Sequence, residues 1–149
     1  MSQNAREADT ALLEPLDRLR FELDHPPFHQ FLRPEPVSVD AEAGSVVIRL
    51  PFRPEFARIP DRPDYHGGVI AAFIDITAHA AAAVKAGRMA PTVDLRIDYM
   101  RVASGSALIG RGTVQRMGRT LAVVDVEITT EGDGRQIALG RGVLSVRSD

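Results

Sequence analysis

The chain has no cysteine among its 149 residues. Disulfide staples, thiolate nucleophiles and cysteine-based zinc sites are therefore excluded, and a reducing compartment is permitted. It also lacks a strong charge of either sign, because 18 Lys and Arg stand against 20 Asp and Glu for a formal net charge of -2. Such a balance gives no global attraction for nucleic acid. Residues 1–11 are polar and contain no apolar targeting core. The longest apolar run, residues 69–84, is interrupted by Asp75 and His79 and falls short of the roughly 18–20 residues that span a bilayer. A cytoplasmic protein is expected, with neither a membrane nor a nucleic acid as partner. Internal repeats and low-complexity segments are missing as well. What remains is a chain of single-domain length, able to bury a core without staples.

The organising stretch is 66–87, an alanine-rich segment opened by Gly67 and Gly68 and closed by Gly87 after Lys85. Its composition predicts one helix. Val69, Ile70, Phe73, Thr77, Ala80 and Val84 fall on one bulky side that suits a sheet, while Gly68, Ala71, Ala72, Asp75, Ala78, His79 and Ala82 form a small-residue stripe. A carboxylate within so apolar a helix needs donors or water around it, and Asp75 serves either a structural hydrogen bond or chemistry. The two glycines offer amide donors at the positive end of the helix, a place for a carbonyl oxygen that is gaining charge. Gly67 and Asp75 lie about 12 Å apart along one helix at roughly 1.5 Å per residue. They cannot reach the same carbonyl within one chain, whereas two antiparallel copies with their small faces together bring Gly67 of one near Asp75 of the other.

Residues 1–10 read as a frayed polar lead. An amphipathic helix follows over 10–23, with Leu12, Leu13, Leu16, Leu19 and Leu23 on its apolar side and Pro15 in its first turns. His25, Pro26 and Pro27 end it, a short helical turn is expected over 28–32, and residues 35–52 read as a hairpin. A proline-rich loop over 51–63 leads into His66 and is expected to line whatever the helix start binds. After Gly87 come four strand-like segments, 92–102, 107–117, 120–130 and 136–146, separated by short turns. The short turns imply an antiparallel meander of these four, and the expected class is α+β: a curved antiparallel sheet of about six strands wrapped around the long helix, with an extra N-terminal helix.

His66-Gly67-Gly68, Asp75 nine positions beyond the histidine, and the segment Ala90-Pro91-Thr92-Val93-Asp94-Leu95-Arg96-Ile97-Asp98-Tyr99-Met100 together closely resemble the hotdog-fold acyl-CoA thioesterases of the PaaI type. The resemblance covers residues 36–146. It implies one hotdog domain over 1–149, with 1–33 as a helical extension and 34–149 as the core. It also implies homodimers joined edge to edge through their sheets, often paired as tetramers, with each active site between subunits. In those terms Asp75 is the catalytic carboxylate, acting as general base on water or as nucleophile. The Gly67 N–H polarises the thioester carbonyl, and Thr92 orients the water. No metal or redox cofactor is required. Six positions before the histidine, where many members carry an asparagine, this chain has Pro60, followed by Asp61. The amide's role is then vacant, taken by Asp61 or Asp64, or filled from elsewhere.

Other residues carry competing readings. His66 orients the loop or packs beside the thioester, with Gly68, Asp61 and Tyr65 expected around the substrate. His79, one turn after Asp75, pairs with it or packs as a structural imidazole. His25 and His29 have i, i+4 spacing, but Pro26 and Pro27 break the helix a metal pair would need. Arg116 and Arg119, with Arg111, grip the coenzyme A phosphates or form a solvated strand edge. The Gly-Arg-Gly triplets at 110–112 and 140–142 mark bulges or close approaches rather than a dinucleotide loop. An acyl pocket is expected where Phe28, Phe31 and Tyr65 meet the partner subunit. The leading function is hydrolysis of an aryl- or medium-chain acyl-CoA. The alternatives are an acyl-CoA-binding module without turnover and, behind both, a hotdog dehydratase or hydratase.

Overall fold

Residues 12–147 are described by a computed structural model, and the lead expected over 1–10 lies outside them. Helix α1 spans Pro15–Asp24, starting later than the leucine spacing suggests. Pro15 sets that start, since a proline at the first helical position gives up an N–H that has no partner there anyway. Helix α2, Pro27–Leu32, opens on a proline in the same way. The sheet contains β1 (Glu35–Asp40), β2 (Ser45–Leu50), β3 (Thr92–Tyr99), β4 (Leu108–Met117), β5 (Leu121–Thr130) and β6 (Gln136–Ser145). All neighbouring pairs are antiparallel.

The strand order is β1-β2-β4-β5-β6-β3, which corrects the expected meander at one point. β3 does not lie beside β4; it pairs with β6 at the far edge. The cause is helix α3, Gly67–Ala86, whose 20 residues carry the chain about 30 Å across the sheet before β3 begins. Residues 100–107 then return the chain to β4, beside β2. β3 is thus an edge strand lying along the helix it follows.

At the start of α3 the His66 ring accepts a hydrogen bond from the Gly68 N–H at 2.9 Å, and at its end Gly87 takes the left-handed conformation, φ 68, that closes many helices. Phe73 and Ile74 are wholly buried, each contributing roughly 1.5–3 kcal/mol. The glycine triplets explain how the helix sits so close. A Cβ on Gly112 would stand 2.9 Å from the Thr77 carbonyl oxygen, and one on Gly110 would stand 2.7 Å from Thr77 Oγ1. These glycines are therefore the seat of the helix. Ala78 faces Gly142 at the sheet, and Ala78 and Ala82 are fully buried within this one chain. The expected small stripe is consequently not continuous at the surface; Gly68, Ala71, Ala72, Asp75 and His79 are its uncovered part. α3 is long and apolar enough to cross a membrane, unlike the shorter run read from the sequence, but most of it is buried in the fold, as in the core helix of a soluble protein.

Candidate active site

Asp75 lies midway along α3, partly exposed, and Thr92 Oγ1 donates to its Oδ1 at 2.6 Å. Thr92 is the first residue of β3, so the edge strand delivers the hydroxyl. Among the described residues no other side chain donates to Asp75. The pair opens onto a cleft of about 370 Å³ whose apolar walls include Phe21, Pro26, Ile76, Met89 and Pro91.

The same cleft holds a second carboxylate in a contrasting state. Glu22 of α1 is buried, with Arg18 Nη2 at 2.7 Å from Oε1 and His79 Nε2 at 2.8 Å from Oε2. Burial pushes the Glu22 carboxyl up, but His79 and Arg18 outweigh it and hold the group below its usual range. The other His79 nitrogen, Nδ1, lies 3.0 Å from the Ala90 carbonyl, which can only accept. Both ring nitrogens therefore face acceptors, and only an imidazolium can donate to both. Burial pulls the His79 ring down; the bond and attraction to Glu22, the Ala90 carbonyl and Asp75 nonetheless hold it above the usual imidazole range. His29 differs. Its Nδ1 lies 2.7 Å from the Glu22 backbone carbonyl, and burial, with the His79 charge, keeps this ring below the usual range. Of the two readings of His79, the structure shows no direct Asp75 pair among the described residues and gives the ring a structural place. The imidazole joins α1 to the entrance of β3.

Gly67 stands about 12 Å from Asp75 along α3 at roughly 1.5 Å per residue. The first four N–H groups of a helix have no intrahelical partner, and three of them are satisfied here. The His66 N–H bonds the Phe56 carbonyl, the Gly68 N–H bonds the His66 ring, and the Val69 N–H bonds the His66 carbonyl. Among the described residues the Gly67 N–H has no acceptor. It stands beside a shallow cleft of about 430 Å³ lined by Tyr65, Ile70, Tyr99 and Val102 among others. Tyr99, the last residue of β3, donates its hydroxyl to the Gly67 carbonyl at 2.8 Å.

Other candidates lie elsewhere or are engaged in the fold. His66 caps α3 through its side chain, the structural one of its two readings. Tyr65 borders the Gly67 cleft but is 2% exposed, and its hydroxyl faces the carbonyls of Leu50 and Ser106 at 3.2 and 3.0 Å. Its polar atom thus serves the fold, while its ring borders the cleft. Asp61 is exposed, in a left-handed turn at φ 60, and lines neither cleft. Asp64 is buried between Arg58 and Arg62 at 3.6 and 3.4 Å. Arg116 and Arg119 line a separate cleft at the β4–β5 turn, and Arg111 reaches Thr129 instead. Phe28 and Phe31 are exposed and stack on each other, outside the Asp75 cleft; Arg53 occupies that aromatic cluster, lying over Phe31 and Phe56.

Sequence reasoning missed Arg18 and Glu22. Their i, i+4 spacing was visible, and both fall beside Leu19 and Leu23 on the side of α1 that becomes buried.

Residues 64–137 match the family profile described as the thioesterase superfamily. Human acyl-coenzyme A thioesterase 13 is 30% identical over 105 residues, covering 69% of this chain and 74% of that protein. Among solved structures, zebra fish thioesterase superfamily member 2 superposes with a TM-score of 0.75 at 28% identity, over 88% of this chain and 97% of that one. The Escherichia coli PaaI protein of the phenylacetic acid degradation operon shares the fold, with a TM-score of 0.73 at 22% identity over 95% of this chain and 98% of that one.

Proposed function

We propose, for a chain that belongs to the thioesterase superfamily as a hotdog-fold thioester hydrolase of the PaaI type, that its substrate is an aryl- or medium-chain acyl-CoA and that Asp75 drives the hydrolysis. The observation that carries this reading is the Thr92–Asp75 hydrogen bond at 2.6 Å on the wall of an apolar cleft. Thr92 engages one carboxylate oxygen and leaves the other for a water molecule. That oxygen takes a proton as the water attacks the thioester carbon. Negative charge then gathers on the carbonyl oxygen, where one preorganised N–H donor is worth about 2.7–4 kcal/mol, and the Gly67 N–H is such a donor. Collapse breaks the C–S bond, and the proton held by Asp75 passes to the departing thiolate to give free acid and coenzyme A.

Asp75 and Gly67 are too far apart in one chain to serve one carbonyl. The reading therefore includes a homodimer in which Asp75 of one subunit works with Gly67 of the other, formed along the β3 edge and paired further as a dimer of dimers. Exposed Val93, Tyr99, Met100 and Val102 on and beyond that edge support it. The test is thiol release from phenylacetyl-, hydroxybenzoyl- and straight-chain acyl-CoAs by wild type and Asp75→Asn in parallel. Release by wild type alone is expected. Equal release by both removes Asp75 from the mechanism, and binding of every substrate without release points instead to a binding module.

A further inference from the structure

Thr92 has to be aimed at Asp75, and the strand pairing alone does not aim it. The β3–β6 register slips between Thr92 and Asp94, so the ladder is irregular where the hydroxyl is presented. Two hydrogen bonds fix the segment just before it. The Ser145 N–H donates to the Pro91 carbonyl at 2.8 Å, and His79 Nδ1 donates to the Ala90 carbonyl at 3.0 Å. His79 is in turn held by Glu22, whose other oxygen is held by Arg18. A continuous polar chain thus runs from α1 to the residue two positions before Thr92.

Resting on the thioesterase reading above, we propose that Glu22 and His79 are positioning residues for the reaction: the imidazolium clamped between α1 and the Ala90 carbonyl aims Thr92 at Asp75. The N-terminal helix thereby becomes part of the active site although it offers no atom to the thioester. Losing one proton from His79 must break one end of the clamp, because a neutral imidazole donates only once. The titratable groups around the ring are Arg18, Glu22 and His25 from α1 and its end, His29 from α2 and Asp75 from α3. Glu22 and Asp75 both favour the protonated ring. With the folded-state value raised above the ordinary 6.5, the clamp is complete at and below that pH and is lost as pH rises through the raised value. Turnover that depends on it falls on the same alkaline limb.

The experiment pairs 15N NMR of the uniformly labelled full chain, read at the histidine ring nitrogens and at the backbone amides across about pH 5–9, with pH profiles of kcat and kcat/KM for wild type, Glu22→Gln and His79→Gln. The expected spectrum shows His79 doubly protonated past the pH at which an ordinary imidazole is neutral, and the Thr92 amide signal moves as His79 titrates. In Glu22→Gln both transitions move to lower pH. His79→Gln, which keeps a neutral partner for Glu22 and guards against a variant that fails to fold, abolishes the alkaline limb. It also lowers kcat about 10- to 100-fold, the scale of a misplaced catalytic group, with KM little changed. A neutral His79 at pH 7, a Thr92 signal indifferent to its titration, or a wild-type profile in His79→Gln each overturns the proposal. If wild type releases no thiol from any acyl-CoA, the functional reading fails, and the NMR titration still decides the clamp.

Discussion

The two clefts served by α3 differ in kind. The cleft at the middle of the helix has a carboxylate with a hydroxyl aimed at it and apolar walls. The cleft at the start has a backbone N–H with no acceptor among the described residues, and its described lining includes no acidic side chain. One can activate water and the other can hold an oxyanion; neither alone does both. The edge strand β3 joins them, giving Thr92 from its first residue to Asp75 and Tyr99 from its last to Gly67. The difference between the clefts thus favours a complete site assembled from two copies of the same surface.

Breaking the first cleft has the largest expected effect. Asp75→Asn keeps an acceptor for Thr92 and removes the base, so kcat should fall about 10²–10⁴-fold. Unfolding free energy should change by no more than about 0.5 kcal/mol, since Asp75 is partly exposed and makes no ion pair among the described residues. Breaking the second cleft comes next. Gly67→Pro removes the donor at a first helical position that accepts proline, after an extended His66 at ψ 136. The expected loss is about 10²–10³-fold in kcat. Mixing the two inactive proteins sharpens the comparison further. If each site uses Asp75 of one subunit and Gly67 of the other, random re-pairing leaves about a quarter of the sites intact, and activity returns. Persistent inactivity of re-paired subunits would contradict the shared site.

Within the first cleft, two carboxylates show how a site differs from a support. Glu22 is saturated by Arg18 and His79, whereas Asp75 receives one hydroxyl. Thr92→Val keeps the branched shape and deletes that hydroxyl, so a loss of about 10-fold in kcat is expected from the water's poorer orientation. A loss as large as that of Asp75→Asn would mean that Thr92 takes part in the chemistry directly.

The helix, its sheet and the motif residues were legible from the sequence because each has a local signature. Glycine brackets α3, alternation marks β2 and β5, and His66-Gly67-Gly68 sits at a helix start. Two things were not legible. The placement of β3 at the far edge depends on where a 20-residue helix sets the chain down, and no local pattern encodes that. The burial of Arg18 and Glu22 depends on α1 docking over α3, which brings His79 to Glu22 across 57 residues of chain. A surface salt bridge and a buried one read identically along a sequence; only the partner from another element tells them apart.

The smallest expected effect tests what holds the second cleft in shape. Tyr99 donates to the Gly67 carbonyl and leaves the Gly67 N–H, the proposed oxyanion donor, untouched. The residue is 53% exposed, so water can replace its hydroxyl in Tyr99→Phe, and a net loss of about 0.5–1.5 kcal/mol is the upper range for such a bond. The start of α3 has other anchors. The His66 N–H bonds the Phe56 carbonyl at 2.7 Å, and the His66 ring bonds the Gly68 N–H. Tyr99→Phe should therefore reduce kcat only about two- to threefold, at the low end of that bond's range, with the pH profile unchanged. If it costs as much as Gly67→Pro, the direction of the oxyanion donor is set by the edge strand rather than by the helix turn. Both clefts would then be aligned by β3, and their geometry would depend on what pairs with that edge.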